Sequence, residues 1–476
     1  MPPTGPIDSQ TDPRDYGLKH RILSPTETVA QSLSSTAPTA GPTVLIPLVY
    51  ALSGAGTWLV FLIALCGMVL VAININTFAR RTASPGSLYQ YVASSMGAAA
   101  GVTAGWALVI AYIGTAVAVT GGLTVYFNAA LSALPGMTVS PVWIIEGSVG
   151  AAWVLAWMNV QLSARTMLWF EVLSVALIAT LLAVTLSRTG FRPDRAQLRL
   201  EGVSPEKLRL GLVLATFAFV GFESSTALGA EVKNPLRTIP RAVIATAVFA
   251  GLFFVAAAYV EVLGFRGLKD NLATSSAPLE TLANEAGIGG FGVAIAVCAV
   301  VSFLACTLAC ITAAARILFM IGRHGLLPAS FGRAHVRNRT PHQAVSLSAV
   351  LTLLPGVLLA TRGAGGMEIN AWIGTFATYG FVTAYVLVCV AAPLSLRRRG
   401  KLSARHLAAA LAAIAFMAVT LLGNIYPRPP APYSWMPLAY AGCLAAGPLW
   451  LAWRKRAAPE LIEEIQRDLE LTGPAA

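Results

Sequence analysis

Apolar positions along this chain neither alternate nor recur as a single stripe. They gather into long runs separated by short polar stretches. Twelve runs stand out, at about 27 to 52, 56 to 79, 99 to 127, 141 to 160, 164 to 187, 209 to 230, 241 to 264, 289 to 317, 342 to 361, 369 to 395, 403 to 424 and 433 to 453. A helix needs about 20 apolar residues to cross the hydrocarbon core of a bilayer. Lipid offers no partner to a free peptide group, so runs of this length predict helices. The expected fold class is an all-α membrane protein with twelve transmembrane helices. The Gly-rich stretch GAAAGVTAG, residues 97 to 105, fits close helix packing through small residues.

Two runs are interrupted. In the first, Ser34-Ser35-Thr36-Ala37-Pro38-Thr39-Ala40-Gly41-Pro42 sets two prolines, a glycine and four hydroxyls amid apolar sequence, where a continuous helix is not expected. Five runs later, Thr216 to Ser225 sets a glycine, hydroxyls and an acid into the sixth. Five is odd, so two five-helix units in series have opposite orientations. Interrupted first helices in corresponding positions of inverted halves point to a transporter binding site. The reading is a five-plus-five inverted repeat with broken first and sixth helices, repeat one over 27 to 187 and repeat two over 209 to 395. Two extra helices follow over 403 to 453, all within a transmembrane domain of 25 to 455. Residues 1 to 24, rich in Pro, Ser, Thr and Asp, read as a disordered cytoplasmic tail and not a signal peptide. Residues 456 to 476 read as a cytoplasmic carboxyl-terminal tail.

Composition agrees: of 476 residues 56% are hydrophobic and 11% charged, against roughly 45 to 50% and about 25% in soluble domains. The formal net charge of +12 invites a nucleic-acid reading, but the basic residues sit in short segments between apolar runs. With both termini cytoplasmic, 23 of the 33 Lys and Arg residues fall inside and 10 outside, six of the latter in one longer loop from Arg188 to Arg209. That asymmetry places the protein as a multi-pass component of the cytoplasmic membrane with no nucleic-acid partner. All six cysteines lie in apolar runs, which argues against disulfides and zinc ligation. No P-loop, HExxH or GxSxG occurs, so neither an enzyme nor a cofactor is implied.

At a broken helix, free N–H groups attract an anion and free carbonyls a cation or ammonium. An amino acid carries both. Candidate substrate-binding residues are Ser34, Ser35, Thr36, Ala37 and Thr39 from the first break and Phe217, Phe219, Val220 and Gly221 from the second, with Tyr112 and Trp372 lining the cavity. A packed helix merely kinked by Pro and Ser is the bland alternative, and two breaks in register weigh against it. Glu223 lies at membrane depth, where a charge costs about 2.5 to 3.5 kcal/mol on insertion scales, so it is a candidate proton carrier or gate. Its structural alternative is an acid bonded to unwound backbone. Glu171 in the fifth run is either a titrating coupling group or an acid held by a hydroxyl or arginine; Ser302 is grouped with these coupling or gating candidates. Glu146 and Glu261 lie nearer the ends of their runs and read as solvated at the interface.

The segment FAFVGFESSTALGAEVKNPLRTIPRAV, residues 217 to 243, resembles the sixth helix and following loop of the amino acid-polyamine-organocation transporter superfamily. SPGSLYQYV, APLETLA and AARILFMIGRHGLLPASFGRAH agree in order, and the resemblance covers roughly residues 24 to 455. It implies alternating access, with Ser34 to Ala40 at the place of the substrate carboxylate and amine. Phe217 falls where some members place a stacking tryptophan, Glu223 matches the sixth-helix acid, and the loop from Glu231 to Pro240 resembles an element that stabilises one gate state. Two departures mark this chain. SSTAPTAG replaces the glycine-rich GSGIF-like break of several members, and Glu171 stands where some proton-coupled members carry a lysine. The charge logic there is reversed, and proton binding or sodium coordination by the acid stay open. The expected function is secondary transport of an amino acid or related amine by proton-coupled symport. The alternatives are an exchanger and, on the strength of the terminal segment 459 to 471, a non-transporting nutrient sensor. Oligomeric state has no signature in the chain.

Overall fold

The computed structural model describes residues 16–131, 137–158, 160–275, 277–458, 460 and 465. In chain order the helices are α1 (Pro25–Thr36), α2 (Ile46–Ser53), α3 (Thr57–Ala79), α4 (Ser87–Met96), α5 (Ala98–Leu131), α6 (Pro141–Met158), α7 (Val160–Arg188), α8 (Arg195–Leu198), α9 (Pro205–Phe219), α10 (Pro235–Gly264), α11 (Pro278–Glu285), α12 (Gly289–Arg323), α13 (His342–Thr361), α14 (Gly366–Arg398), α15 (Ala404–Ile425) and α16 (Met436–Ala457). No strand occurs among the described residues; Leu23 and Val232 form an isolated parallel bridge. Each of the twelve apolar runs carries helix. Ten stretches are long and apolar enough to cross a membrane, one of them Pro25–Ala79, which contains both of the first two runs; α16 is not among the ten.

Local chemistry sets the helix starts. Ser24 and Glu27 form a reciprocal capping box ahead of α1, with Pro25 at its first position. Ser204 caps α9 by accepting from the Lys207 N–H, and Asp194 caps α8. Small residues then set the spacing between helices. Gly101 and Gly105 of the Gly-rich stretch lie against Ala93 and Tyr89 of α4, while Gly114 of α5 meets Ala377 of α14 and Gly380 of α14 meets the carbonyl of Ala107. These close approaches make α5 the central post of the bundle, with α12 and α14 beside it. Exposed Trp143, Trp153, Trp169, Trp435, Trp450 and Trp453 face outward from the bundle, as residues that meet lipid and its interface do.

Three expectations about the periphery change. Residues 1–15 of the amino-terminal segment lie outside the described residues. Tyr16, Leu18 and Leu23 are buried, because Leu23 pairs with the strand-like turn after the second break: its N–H donates to Glu231 O (2.9 Å) and its carbonyl accepts from Lys233 N (2.8 Å). Of the terminal segment 459–471, residues 459, 461–464 and 466–471 lie outside the described residues, and Ile465 is buried. Arg316, one of the 23 basic residues assigned to the inner side, is 2% exposed inside α12, which continues past the apolar run to Arg323.

Candidate functional site

The first run is broken where its composition indicates. α1 ends at Thr36, and Ala37 adopts a left-handed backbone (φ 48°) whose N–H donates to the carbonyls of Leu33 and Ser34. Pro38 and Thr39 form a turn, and the chain re-enters through a π-helical stretch, Gly41–Leu45, before α2. A π-turn widens the backbone where Pro42 has no N–H to give. The second run breaks at Val220, which leaves the helix at ψ 149°; Gly221 follows at φ 89°, and a 3-10 stretch, Ser224–Leu228, resumes.

The two breaks touch. A Cβ placed on Gly221 would lie 2.5 Å from Ser35 Oγ and 2.8 Å from Ser35 O, so only glycine permits this approach. Below it, Ser224 Oγ donates to Gln31 O (3.1 Å) and Ser225 N donates to Ser32 Oγ (3.2 Å). α12 closes the third side: Gln31 Nε2 donates to Ala309 O (3.0 Å), Cys306 Sγ donates to Ser35 O (3.4 Å), and Cys310 Sγ lies 3.7 Å from Ser35 Oγ. Ser34 Oγ and Ser225 Oγ are buried with no partner. Buried polar atoms are ordinarily satisfied, so these two hydroxyls at the junction are exceptions that keep free hydrogen-bonding capacity.

Phe217 lies over Gly374 of α14, where an added Cβ would fall 2.6 Å from its ring. Phe219 lies edge-on to Phe254 at 5.4 Å between centroids, and Phe254 in turn fills the space beside Gly41 of the first break. Thr36 spends its hydroxyl on Ser32 O (2.9 Å) within α1. Trp372 is not brought to the junction; it packs with Tyr379, Met436 and Tyr440 in a separate cluster between α14 and α16.

Glu223 is fully buried, with Tyr112 OH donating to Oε1 (2.7 Å) and Tyr385 OH donating to Oε2 (2.5 Å). Two phenols from α5 and α14 thus hold the acid of the second break. Tyr112 was anticipated as a cavity residue; Tyr385 was not. Glu171 is likewise buried, with Ser302 Oγ donating to Oε1 (2.6 Å) and Thr39 Oγ1 to Oε2 (3.4 Å). The acid, the first break and α12 therefore meet, which joins three sequence candidates in one cluster. Among the described residues no arginine is bonded to Glu171; the hydroxyls of Ser302 and Thr39 hold it. Glu261 departs from its expected interfacial solvation. It is 0% exposed, because α11 and α7 pack across the outer turns of α10.

One end of the bundle is closed by layered polar contacts. Arg316 makes a bidentate pair with Glu231, Nε to Oε2 at 2.7 Å and Nη2 to Oε1 at 2.9 Å, both side chains buried. Glu27 pairs with Arg165 at 2.5 Å, and Ser87 bonds Thr226 at 2.6 Å. Tyr89 OH is hydrogen-bonded to His324 Nδ1. Toward the other end, Tyr126 OH donates to Thr43 O (2.7 Å) and its ring lies beside Phe303. The junction of the two breaks is enclosed from both directions.

Two broken helices thus meet back to back beside buried acids inside a helical bundle of membrane-spanning length. Comparison with known proteins agrees: the amino acid permease family model matches residues 29–427, and the chain belongs to that family. The low-affinity putrescine importer PlaP of Escherichia coli K12 is 26% identical over 302 residues, 61% of this chain and 65% of the importer, so the chain spans just under two thirds of that relative. The branched-chain amino acid permease BcaP of Bacillus subtilis 168 is 24% identical over 359 residues, 71% of this chain and 74% of the permease. The methylthioribose transporter of the same organism is 24% identical over 359 residues, with 72% and 74% covered. These relatives are transporters and not enzymes.

Proposed function

We propose that this protein is a secondary active transporter of an amino acid or related amine across the cytoplasmic membrane, working by alternating access as a proton-coupled symporter. The observation that carries the reading is the contact between the two breaks at Gly221 and Ser35, with orphan hydroxyls beside it and Glu223 held by two tyrosines. Ser34, Ser35, Thr36, Ala37, Thr39, Val220 and Gly221 are the proposed backbone and hydroxyl cradle, and Phe217 the aromatic wall. Glu223 and Glu171, the latter with Ser302, are the proposed coupling or gating groups.

Alternating access requires two halves that move against each other. The inverted-repeat reading is supported by a correspondence: α4 lies between the second and third runs, and α11 between the seventh and eighth. Each short helix occupies the same place in its half. Twelve crossings with both termini cytoplasmic complete the proposal, and the end closed by Arg316 and Glu231 is then the inner one. Substrates named for the relatives range from putrescine to branched-chain amino acids, so the class proposed is a small molecule with a primary amine.

The test is uptake into proteoliposomes of a labelled set containing leucine, lysine and putrescine, with and without an imposed pH gradient. Accumulation that requires the gradient supports symport. Counterflow without accumulation replaces symport by exchange, and binding without flux replaces transport by sensing.

A further inference from the structure

Glu261 is the one acid of the bundle interior that neither the junction nor the closed end uses. It is 0% exposed, and both carboxylate oxygens lack a hydrogen-bond partner. No ion pair among the described residues includes it: Arg266, five residues on, is engaged by Asp194 at 2.6 Å, and Arg188 of α7 donates to Glu285 O at 2.5 Å. A buried carboxylate without donors is the costliest arrangement a side chain can adopt. Its surroundings supply further oxygen. Residues three apart share a helix face, and Gly264 on that face lies against Thr185 of α7 and Leu282 of α11, each with a side-chain carbon 2.7 Å from where a Cβ would stand. Thr185 Oγ1 is itself buried and unpartnered. Leu282 belongs to α11, which also carries Glu280. Glu280 also lines an outer pocket of about 360 Å³ together with Asp270, Asn271, Thr281 and Asn284. α11 thus forms an acidic approach: it carries Glu280 of the surface pocket and packs on the face of α10 beside which a buried carboxylate and a buried hydroxyl are satisfied by no described residue.

We propose that Glu261 and Thr185 form a binding site for a monovalent cation, either an alkali ion or a primary ammonium, at the inner end of this acidic approach. Oxygen ligands suit a hard cation or an ammonium donor. The site is separate from the junction of the breaks: Phe254, which packs on Gly41, lies seven residues before Glu261, roughly 10 Å along α10. Cation occupancy there compensates the charge that closure of α11 over α10 takes out of water, so the cation favours the conformation closed on that side.

The site is tested without relying on flux, so its failure and the failure of the transport reading are distinguishable. The purified full-length protein is melted in choline chloride, sodium chloride, potassium chloride and methylammonium chloride at matched ionic strength. A cation that binds the folded state raises the apparent Tm, and the expected rise over choline is at least about 2 °C. A rise with sodium or potassium alone assigns an alkali ion; a rise with methylammonium alone assigns an amine. Glu261→Gln should abolish the rise, and Thr185→Val should weaken the apparent affinity at least tenfold, while Glu206→Gln, at an exposed acid of α9, should retain it. If Glu261→Gln does not fold, the Thr185→Val comparison carries the test. Absence of any cation-specific rise in the unaltered protein, or a rise that survives Glu261→Gln, overturns the proposal in favour of neutralisation by a proton alone.

Discussion

Replacing Gly221 by alanine isolates the contact on which the functional reading stands. Two separate penalties follow from the geometry. The backbone at φ 89° is one that L side chains rarely adopt, costing roughly 1–2 kcal/mol. The added methyl also falls 2.5 Å from Ser35 Oγ and 2.8 Å from Ser35 O. A serine hydroxyl can rotate away, but the carbonyl belongs to the last turn of α1 and moves only if the two breaks separate; overpacking of this kind costs about 1–3 kcal/mol. Gly97 supplies the control. Its φ is 90° and nothing lies within 4 Å of its Cβ position, so Gly97→Ala carries the backbone penalty without the clash. The difference between the two variants is the contact itself, about 1–3 kcal/mol, equivalent to a 5- to 150-fold loss of the state in which the breaks touch. The assay is initial-rate uptake in proteoliposomes, normalised to folded protein, alongside the melting temperature. Gly221→Ala should lose uptake by that factor beyond Gly97→Ala. Equal uptake in the two variants would refute the claim that the approach of the breaks is part of the transport cycle.

Other expectations follow from the same geometry. Glu223→Gln should abolish uptake or uncouple it from the pH gradient; gradient-dependent accumulation unchanged from the parent removes the acid from the mechanism. Tyr385→Phe takes one O–H donor from Glu223, a loss of about 1.5–3 kcal/mol for a bond to a charged group, and should lower kcat/KM for uptake on the order of tenfold or more without altering expression. Arg316→Met strands Glu231 and should destabilise the fold by about 3–5 kcal/mol, whereas Arg316→Met combined with Glu231→Leu should recover most of it, read as melting temperature after detergent extraction. Ser302→Ala should change the dependence of uptake on sodium or on the pH gradient, whichever Glu171 serves, and a cation dependence identical to the parent would separate Glu171 from coupling.

The breaks were legible because proline, glycine and hydroxyl residues inside a bilayer-length apolar run have no other economical use, and Pro38, Gly41 and Pro42 sit where helix gives way. Glu223 and Glu171 were legible because a carboxylate at that depth demands a partner. The partners were not. Tyr385 lies 162 residues from Glu223, and a tyrosine in an apolar helix looks the same whether it packs or donates. Trp372 illustrates the converse, an aromatic residue of the right helix whose ring faces α16 instead of the junction. Arg316 was counted with the inner basic residues because hydropathy marks where a run ends but not where the helix does, and α12 runs on to Arg323. Small residues were easier, since Gly101 and Gly105 recur at a spacing that only close packing explains.

The buried acids differ in what holds them, and that difference orders their roles. Glu223 has two phenolic donors from two helices that flank the second break, so it links the break to α5 and α14 and feels any movement of one against the other. Glu171 has two aliphatic hydroxyls, one from the first break and one from α12, and so joins those two elements in the same way. Glu231 has a full guanidinium and serves closure, since breaking a paired buried charge is far more costly than never having placed it. Glu261 has no donor. Among the described residues the other deeply buried carboxylates are satisfied by named side chains and this one is not, which is the ground for the cation proposed there. Glu261 lies toward the far end of α10 from the Arg316 pair, where Arg266 and Arg188 are engaged by Asp194 and by the Glu285 carbonyl and not by this acid. On the proposed alternating-access reading, the two ends would then respond to different causes: the first to relative motion of α12 and the turn at Glu231, the second to the proposed cation.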